Sequence, residues 1–345
     1  MKKINFEKQL KKNPFVLAPM DDVTDIAFRE LCEERGASYS TTELTSIDAL
    51  VRDKVYKSRY ERGNLKINSV QLFGSKPEVF VEAAKIVLDE ADIIDVNFGC
   101  PSPTVTRNDG GSALLRDPKN VSQIISKLVK HIDKPITAKI RLGYTKMDHL
   151  SIAKEIEDAG ASLIAVHGRT AKQKYTGAAN WDAIKEVYDA LEIPVVGNGD
   201  IKSEEDARKY LNKSSGGLMI GRAAIGNPHL FERLQYYYEN GKKLEFEIQS
   251  FRATELQSYK NKEVERQSDK EQRLVFIKKQ MKEKQKELFK LYLKKLEARE
   301  FYALNVKISR QAMWFMKGIE GARELRTKIA QEKDIEKVLT AVDEF

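Results

Sequence analysis

The chain has 345 residues, enough for one large domain or for a large one joined to a small one, and both divisions stay open at this point. Hydrophobic residues at 41% beside charged residues at 32% describe a soluble globular protein, and no run of about 18 apolar residues is present that could cross a bilayer as a helix. Two cysteines give neither a disulfide framework nor a metal-ligand cluster, so no structural metal is expected.

The N-terminal stretch MKKINFEKQLKKNPF is basic but lacks an apolar core and a small-residue cleavage site, so no secretory signal is read there and the cytoplasm is expected. Eight β-branched runs follow in order: FVLAPM, SYSTTE, NSVQLFG, DIIDVNFG, PITAKIRLG, SLIAVHG, PVVGNGD and GLMIGR. Between them lie stretches with apolar residues at helical spacing, among them Pro77 to Glu90, Asn120 to Ile132 and Asn180 to Leu191. Strand–helix alternation predicts a parallel sheet covered on both faces. Eight units, with no dinucleotide glycine fingerprint after the first strand, fit an α/β fold of the (β/α)8 TIM-barrel type better than an open doubly wound sheet.

Composition changes after about Asn240. From Gln267 to Glu300 the chain is rich in Lys, Glu and Gln, without Gly or Pro, and Leu274, Ile277, Met281, Leu288, Leu291 and Leu296 fall on roughly one helical face. Helical patterns then flank Gly318 and Gly321. The expected division is a barrel over residues 1–245 and a small all-helical domain over 246–345. The net charge of +8 is concentrated in the second part: residues 252–300 carry 15 Lys+Arg against 9 Asp+Glu, whereas residues 1–251 carry 37 against 36. Such a segment fits either a solvated helix surface or a polyanionic partner such as nucleic acid.

In a barrel of this type the C-terminal strand ends converge on one face, where the chemistry occurs. Ala18, Pro19 and Met20 follow the first strand, and Gln71 lies on the third. Asn97 and then Cys100 follow the fourth, Lys139 and Arg141 the fifth, and His167 and Arg169 the sixth. Asn198, Gly199 and Asp200 follow the seventh, with Gly221 and Arg222 after the eighth. The glycines of GNGDI and IGRAAIGNP allow a backbone to approach an anion, and N–H groups at the start of the following helix could hold phosphate beside Arg222; a plain turn is the other use of such glycines. Lys139 sits in an apolar run, where an ammonium needs either a flavin edge or a barrel carboxylate as its partner.

These residues resemble the tRNA-dihydrouridine synthases, through the blocks APMDDVTDIAFR, QLFGSKPEVF, DIIDVNFGCP, GGSALL, AKIRLG, HGRTAKQKYTGAANWDAI, VVGNGDI, MIGRAAIGNP and WFMKGIEGARELR. The resemblance implies an FMN-containing barrel with a small helical domain, which reduces uridine C5=C6 in tRNA using NADPH (or NADH). It implies Cys100 as proton donor and Ala18, Pro19, Met20, Gln71, Lys139, His167, Asn198, Gly199, Asp200, Gly221 and Arg222 as cofactor contacts. Asn97 would face the substrate base, with Arg141 and Arg169 on the substrate side, and Gln173 and Tyr175 match the adjoining loop. Two positions depart from the family pattern: Thr104 stands where Lys is common, and Gln311 where His is usual. A monomer without membrane attachment is expected. Two rivals share parts of this pattern: a free-pyrimidine FMN oxidoreductase of the dihydroorotate dehydrogenase type, and a non-catalytic RNA-binding protein on a degenerate barrel.

Overall fold

The computed structural model describes residues 4–55, 57–242, 266–297, 308–317, 319–330, 332 and 334–345, with residues 266–278, 280, 281 and 309 described by backbone alone. The expected boundary at 245/246, the side chains of Leu274, Ile277 and Met281, residues 298–300 of the Lys-rich stretch and Gly318 lie outside the described residues. Two compact units are present, residues 1–238 and 239–345.

The first unit is a closed barrel of eight parallel staves. Its strands are β1 (Phe15–Leu17), β2 (Ser40–Thr41), β3 (Thr45–Ser46), β4 (Asn68–Phe73), β5 (Ile93–Phe98), β6 (Ile136–Arg141), β7 (Leu163–His167), β8 (Val195–Asn198) and β9 (Gly217–Ile220). β2 pairs with both β1 and β4, and β1 with β9, which closes the ring; β3 pairs further along β4 and extends the second stave. Every stave begins within one of the eight β-branched runs, and β3, which extends the second, lies just beyond SYSTTE. Because side chains alternate across a strand, one set of each strand faces the helices and the other faces the axis. The outward set, such as Ile94, Val96, Ile140, Val166 and Ile220, is fully buried beneath the helical ring.

Several helices begin where the chain leaves the C-terminal end of a stave, and their caps are local. Asp25 accepts from the Phe28 N–H, Ser46 from Ala49, Asp117 from Asn120 and Asn180 from Ala183, each satisfying a first-turn donor that has no partner within the helix. The opposite end of the barrel is stoppered. The helix Phe6–Lys12 places Phe6 and Leu10 in one cluster with Val16, Ile93, Leu163, Val196 and Met219. Only the C-terminal end of the barrel therefore remains for chemistry.

The second unit is helical: Arg266–Glu297, Ile308–Phe315, Ala322–Ile329 and Ile335–Glu344. Its core joins Phe289, Tyr292 and Phe315, whose ring centroids lie 5.5–6.3 Å apart, to Leu293, Leu325, Ile329, Val338 and Val342. Gln311 is buried in this unit, and Leu291, expected on the apolar stripe, is only half-buried beside the fully buried Leu288 and Leu296. Among the described residues, no helix is long and apolar enough to cross a membrane.

Gly197 in β8 faces the helical ring, where a Cβ would come within 2.4 Å of the Trp181 ring and 2.9 Å of Ser215 Oγ. Gly197→Ala should destabilise the fold by about 1–3 kcal/mol through overpacking. In a Trp181→Leu background the same substitution should cost less; equal shifts of the urea midpoint in the two backgrounds would argue against this contact.

Candidate active site

At the open end of the barrel lies a cavity of about 960 Å³. Its wall includes Ala18, Pro19, Met20, Asn97, Cys100, Lys139, Arg141, His167, Arg169, Asn198, Gly199, Asp200, Gly221 and Arg222, so all but one of the site residues expected from sequence meet there. The exception is Gln71, which is fully buried and does not line the cavity. Its Nε2 donates to Asp95 Oδ2 (2.7 Å), and its Oε1 accepts from Asn97 Nδ2 (2.7 Å). Asp95 also accepts from Thr137 Oγ1 (2.5 Å). The sequence pattern missed Asp95 and Thr137, whose signal was a carboxylate and a hydroxyl at alternate positions of otherwise apolar strands.

Asn97 reaches the wall with its amide already engaged. Its Oδ1 accepts from the N–H groups of Gly99 (3.1 Å) and Cys100 (2.8 Å), so the residue expected to face a substrate shapes the cysteine loop. The same loop is held from below by the Ser112 N–H, which donates to the Cys100 carbonyl (3.0 Å). The turn that allows this requires glycine: Gly111 has φ +58°, and a Cβ there would lie 2.8 Å from the Cys100 carbonyl oxygen. Thr104 is exposed in the short helix Pro103–Thr106, off the cavity wall.

The arginines are buried clamps as much as wall residues. Arg141 Nε donates to the Gly99 carbonyl (2.8 Å), and its Nη1 donates to the carbonyls of Thr170 (3.0 Å) and Lys174 (2.9 Å), joining the loop after β5 to the loop after β7. Arg169 donates to the carbonyls of Thr176 and Gly177 and to Asp200 Oδ2 (2.7 Å). Asp200 also receives Arg222 (3.2 Å) and the Ala179 N–H (2.9 Å). Burial works against the charge of Asp200, yet the Ala179 N–H and the two guanidiniums hold its carboxyl below the usual range. Tyr175 stands exposed at the rim, with the Arg222 guanidinium 4.5 Å and the Arg141 guanidinium 5.8 Å from its ring centroid.

Lys139 projects from the middle of the wall. Its Nζ donates to Asn198 Oδ1 (3.2 Å), a neutral partner, and among the described residues it forms no ion pair with a carboxylate within 4 Å, the alternative its sequence position left open. Burial, helped by Arg141, lowers its pKa to about 8, with Asp95 opposing from deeper in the barrel. His167 accepts from Arg169 Nη1 at Nε2 (3.3 Å), since a guanidinium can only donate, so the ring keeps its proton on Nδ1. Burial and the cations Lys139, Arg141, Arg169 and Arg222 push its pKa far down and keep it neutral. Burial raises the Cys100 thiol above its ordinary value, opposed by the Ser102 N–H, Arg141 and Lys139. Cys32 is fully buried in the helix Ile26–Glu34, away from this cavity.

One expected feature differs. The helix after β8, Glu204–Tyr210, has a capping box of Ser203 and Asp206 and carries Glu204, Glu205 and Asp206 in its first turn, so its N-terminus already answers to carboxylates. The cationic groups that these two staves bring to the cavity are Lys202, after β8, and Arg222, at the 3-10 turn Arg222–Ala224 beside Gly221.

The family described as Dihydrouridine synthase (Dus) matches residues 16–303, which span the barrel and run into the helical unit. The chain belongs to the dihydrouridine synthase family. Curated relatives agree. It is 42% identical over 240 residues to the tRNA-dihydrouridine synthase B of Shewanella oneidensis, covering 68% of this chain and 74% of that protein. It is 34% identical over 347 residues to the tRNA-dihydrouridine synthase B of Pseudomonas syringae pv. tomato, covering 96% and 91%. A probable tRNA-dihydrouridine synthase of Rickettsia prowazekii is 39% identical over 235 residues, covering 66% and 72%. In this member of the family the cysteine of the NFGCP block lies on the wall of the barrel cavity.

Two measurements test this electrostatic picture. Iodoacetamide applied to the folded protein should label Cys100 and spare Cys32, with a half-maximal rate at a pH above that of a free thiol; labelling of both cysteines at equal rates would contradict the burial described. Lys139, with a folded pKa near 8 against an ordinary 10.5, makes unfolding take up a proton between those values. The cofactor-free protein should therefore gain stability as pH rises through that window, and Lys139→Met should flatten the gain in denaturant titrations.

Proposed function

We propose that this protein reduces the C5=C6 bond of uridine in tRNA, with FMN bound in the barrel mouth and NADPH or NADH as the reductant. The observation that carries the reading is the placing of a protonated thiol, Cys100, on the same cavity wall as an under-partnered ammonium, Lys139, and a neutral histidine, His167. The residues suit a flavin. The half-buried Lys139 has one neutral partner and would hold the ring edge that becomes negative on reduction. His167 would present a donor without adding charge, while Arg222 and the backbone beside Gly221 would meet the phosphate. A cavity of about 960 Å³ is within the range that encloses such ligands.

Bound FMN supplies the hydride that reduces the pyrimidine ring at C6. The rest is the work of this chain. The uracil double bond is conjugated to a carbonyl, so hydride addition leaves an enolate that needs a proton at C5. Cys100 gives that proton from Sγ: burial keeps the thiol protonated at neutral pH, and Lys139 and Arg141 stabilise the thiolate left behind. Asn97 and the Ser112 N–H fix the loop so that the sulfur stays on the wall. A stacked uridine cannot reach such a cavity, so the base has to be extruded from the RNA. The helical unit at residues 239–345, which contains the Lys-rich stretch, is assigned to RNA binding, and its lysines meet phosphates as a matter of charge and shape.

Cys100→Ala should retain bound FMN and its reduction by NADPH while losing at least about 10²-fold in dihydrouridine formation. Turnover at the unaltered rate would remove the cysteine from the chemistry. Running orotate and unmodified tRNA side by side separates this reading from a free-pyrimidine oxidoreductase, and protein purified colourless and unable to take up FMN would end both.

A further inference from the structure

The barrel mouth is electrically lopsided. The loop after β1 presents Asp21 and Asp22 as exposed carboxylates, Asp21 being paired with Arg59 (2.7 Å). In the closed ring β6 stands four staves from β1 in either direction, so the loops around it occupy the far side of the mouth. Those loops carry Arg116 after β5, Tyr144 and Lys146 after β6, and Lys172 and Lys174 after β7, with all four cations exposed.

Three features make this a built ledge. Arg116 Cζ lies 4.4 Å and Lys172 Nζ 5.6 Å from the centroid of the Tyr144 ring, so two cations from different loops share one aromatic. The backbones beneath them are tied, with the Ala171 N–H donating to the Gly143 carbonyl (2.9 Å) and the Lys172 N–H to the Tyr144 carbonyl (3.0 Å). The Lys174 carbonyl accepts from Arg141, which lines the cavity, so the ledge is continuous with the active-site wall. Among the described residues none of the four cations pairs with a carboxylate. Asp117 and Asp148, their neighbours in sequence, stand at the N-cap positions of the helices Pro118–His131 and His149–Asp158, where Asp117 accepts from the Asn120 N–H and Asp148 makes no side-chain cap bond. Like charges held together by locked backbone repel one another, and a polyanion relieves that repulsion.

We propose that the Arg116–Tyr144–Lys172 ledge, with Lys146 and Lys174 beside it, holds the phosphates of the RNA strand flanking the extruded uridine, so that the strand crosses the mouth on the β5–β7 side. The inference rests on RNA being the substrate and adds which side of the mouth the strand takes. Arg116 offers a planar fork to one phosphate and Lys172 a point charge to the next, contacts that position a strand without reading its sequence.

The test uses the full-length, FMN-loaded protein and unmodified tRNA, with Kd measured at several salt concentrations. Both target side chains are exposed, and an unshifted melting temperature and flavin spectrum check that the variant is folded. Arg116→Gln combined with Lys172→Gln should raise Kd about 10-fold near 0.1 M salt and make the log Kd against log salt slope shallower by about 2, one for each lost phosphate contact. Asp21→Asn with Asp22→Asn should leave the slope as it is. Unchanged affinity and slope in the arginine–lysine variant would overturn the proposal. So would a raised KM for NADPH with tRNA binding intact, which would give the ledge to the nicotinamide nucleotide. If the unaltered protein neither binds nor reduces tRNA, the substrate reading itself is lost and this inference with it.

Discussion

Five cationic side chains, Lys139, Arg141, Arg169, Lys202 and Arg222, line the open end of one barrel, and Asp200 on the same wall is directly bonded to two of them, Arg169 and Arg222. Charges so gathered are costly unless each has a defined task. Arg141 and Arg169 answer with backbone carbonyls, and in doing so fold the loops after β5 and β7 into a fixed wall. Lys139 is left with a single neutral acceptor, and His167 is denied a charge altogether. The site thus keeps one under-partnered cation and one neutral donor facing a cavity, an arrangement that favours an anionic ligand over a second proton.

The barrel supplies the geometry that makes such crowding possible. Parallel register places Asn97 beside Lys139 and Lys139 beside Ala165, and places Arg141, His167, Asn198 and Met219 in a row, so chemistry-bearing residues reach the mouth at matched heights. The stopper of Phe6 and Leu10 closes the far end with apolar surface. Beneath the cysteine loop the chain Asp95–Gln71–Asn97 fixes the amide that receives the Cys100 N–H. Gly199, at φ +133° with Ala179 Cβ 2.6 Å from where its own Cβ would be, lets the loop after β8 pass close behind the site. Position of the sulfur is therefore a property of several staves at once.

Much of this was legible in the chain. The eight β-branched runs correspond to the eight staves, because a strand buried on both faces must be apolar nearly throughout and its ends must be turns. Residues at those ends could be named as wall residues since the fold sends every strand's C-terminal end to one face. The directions of their side chains were not legible. Gln71 sits one layer too deep to line the cavity, Asn97 turns its amide oxygen to backbone, and Arg169 turns to Asp200 and two carbonyls. An anion site at the helix after β8 was a reasonable use of glycines, but Ser203 and three acids take up that N-terminus.

The amino-acid sequence by itself determined the order of the eight staves, the barrel class, the family, and which residues stand at the strand ends. The elements follow from periodicity and local propensity, which act over a few residues, and the family from the motif blocks that the chain carries. The tertiary structure alone decided which of those residues face the cavity and which hold its loops, that Lys139 donates to a neutral amide, and that the mouth has a cationic side around β6 opposite an acidic loop at β1. Those outcomes depend on distances between groups far apart in the chain, such as Lys139 and Asn198, which lie 59 residues apart, and burial sets the strength of every charge among them.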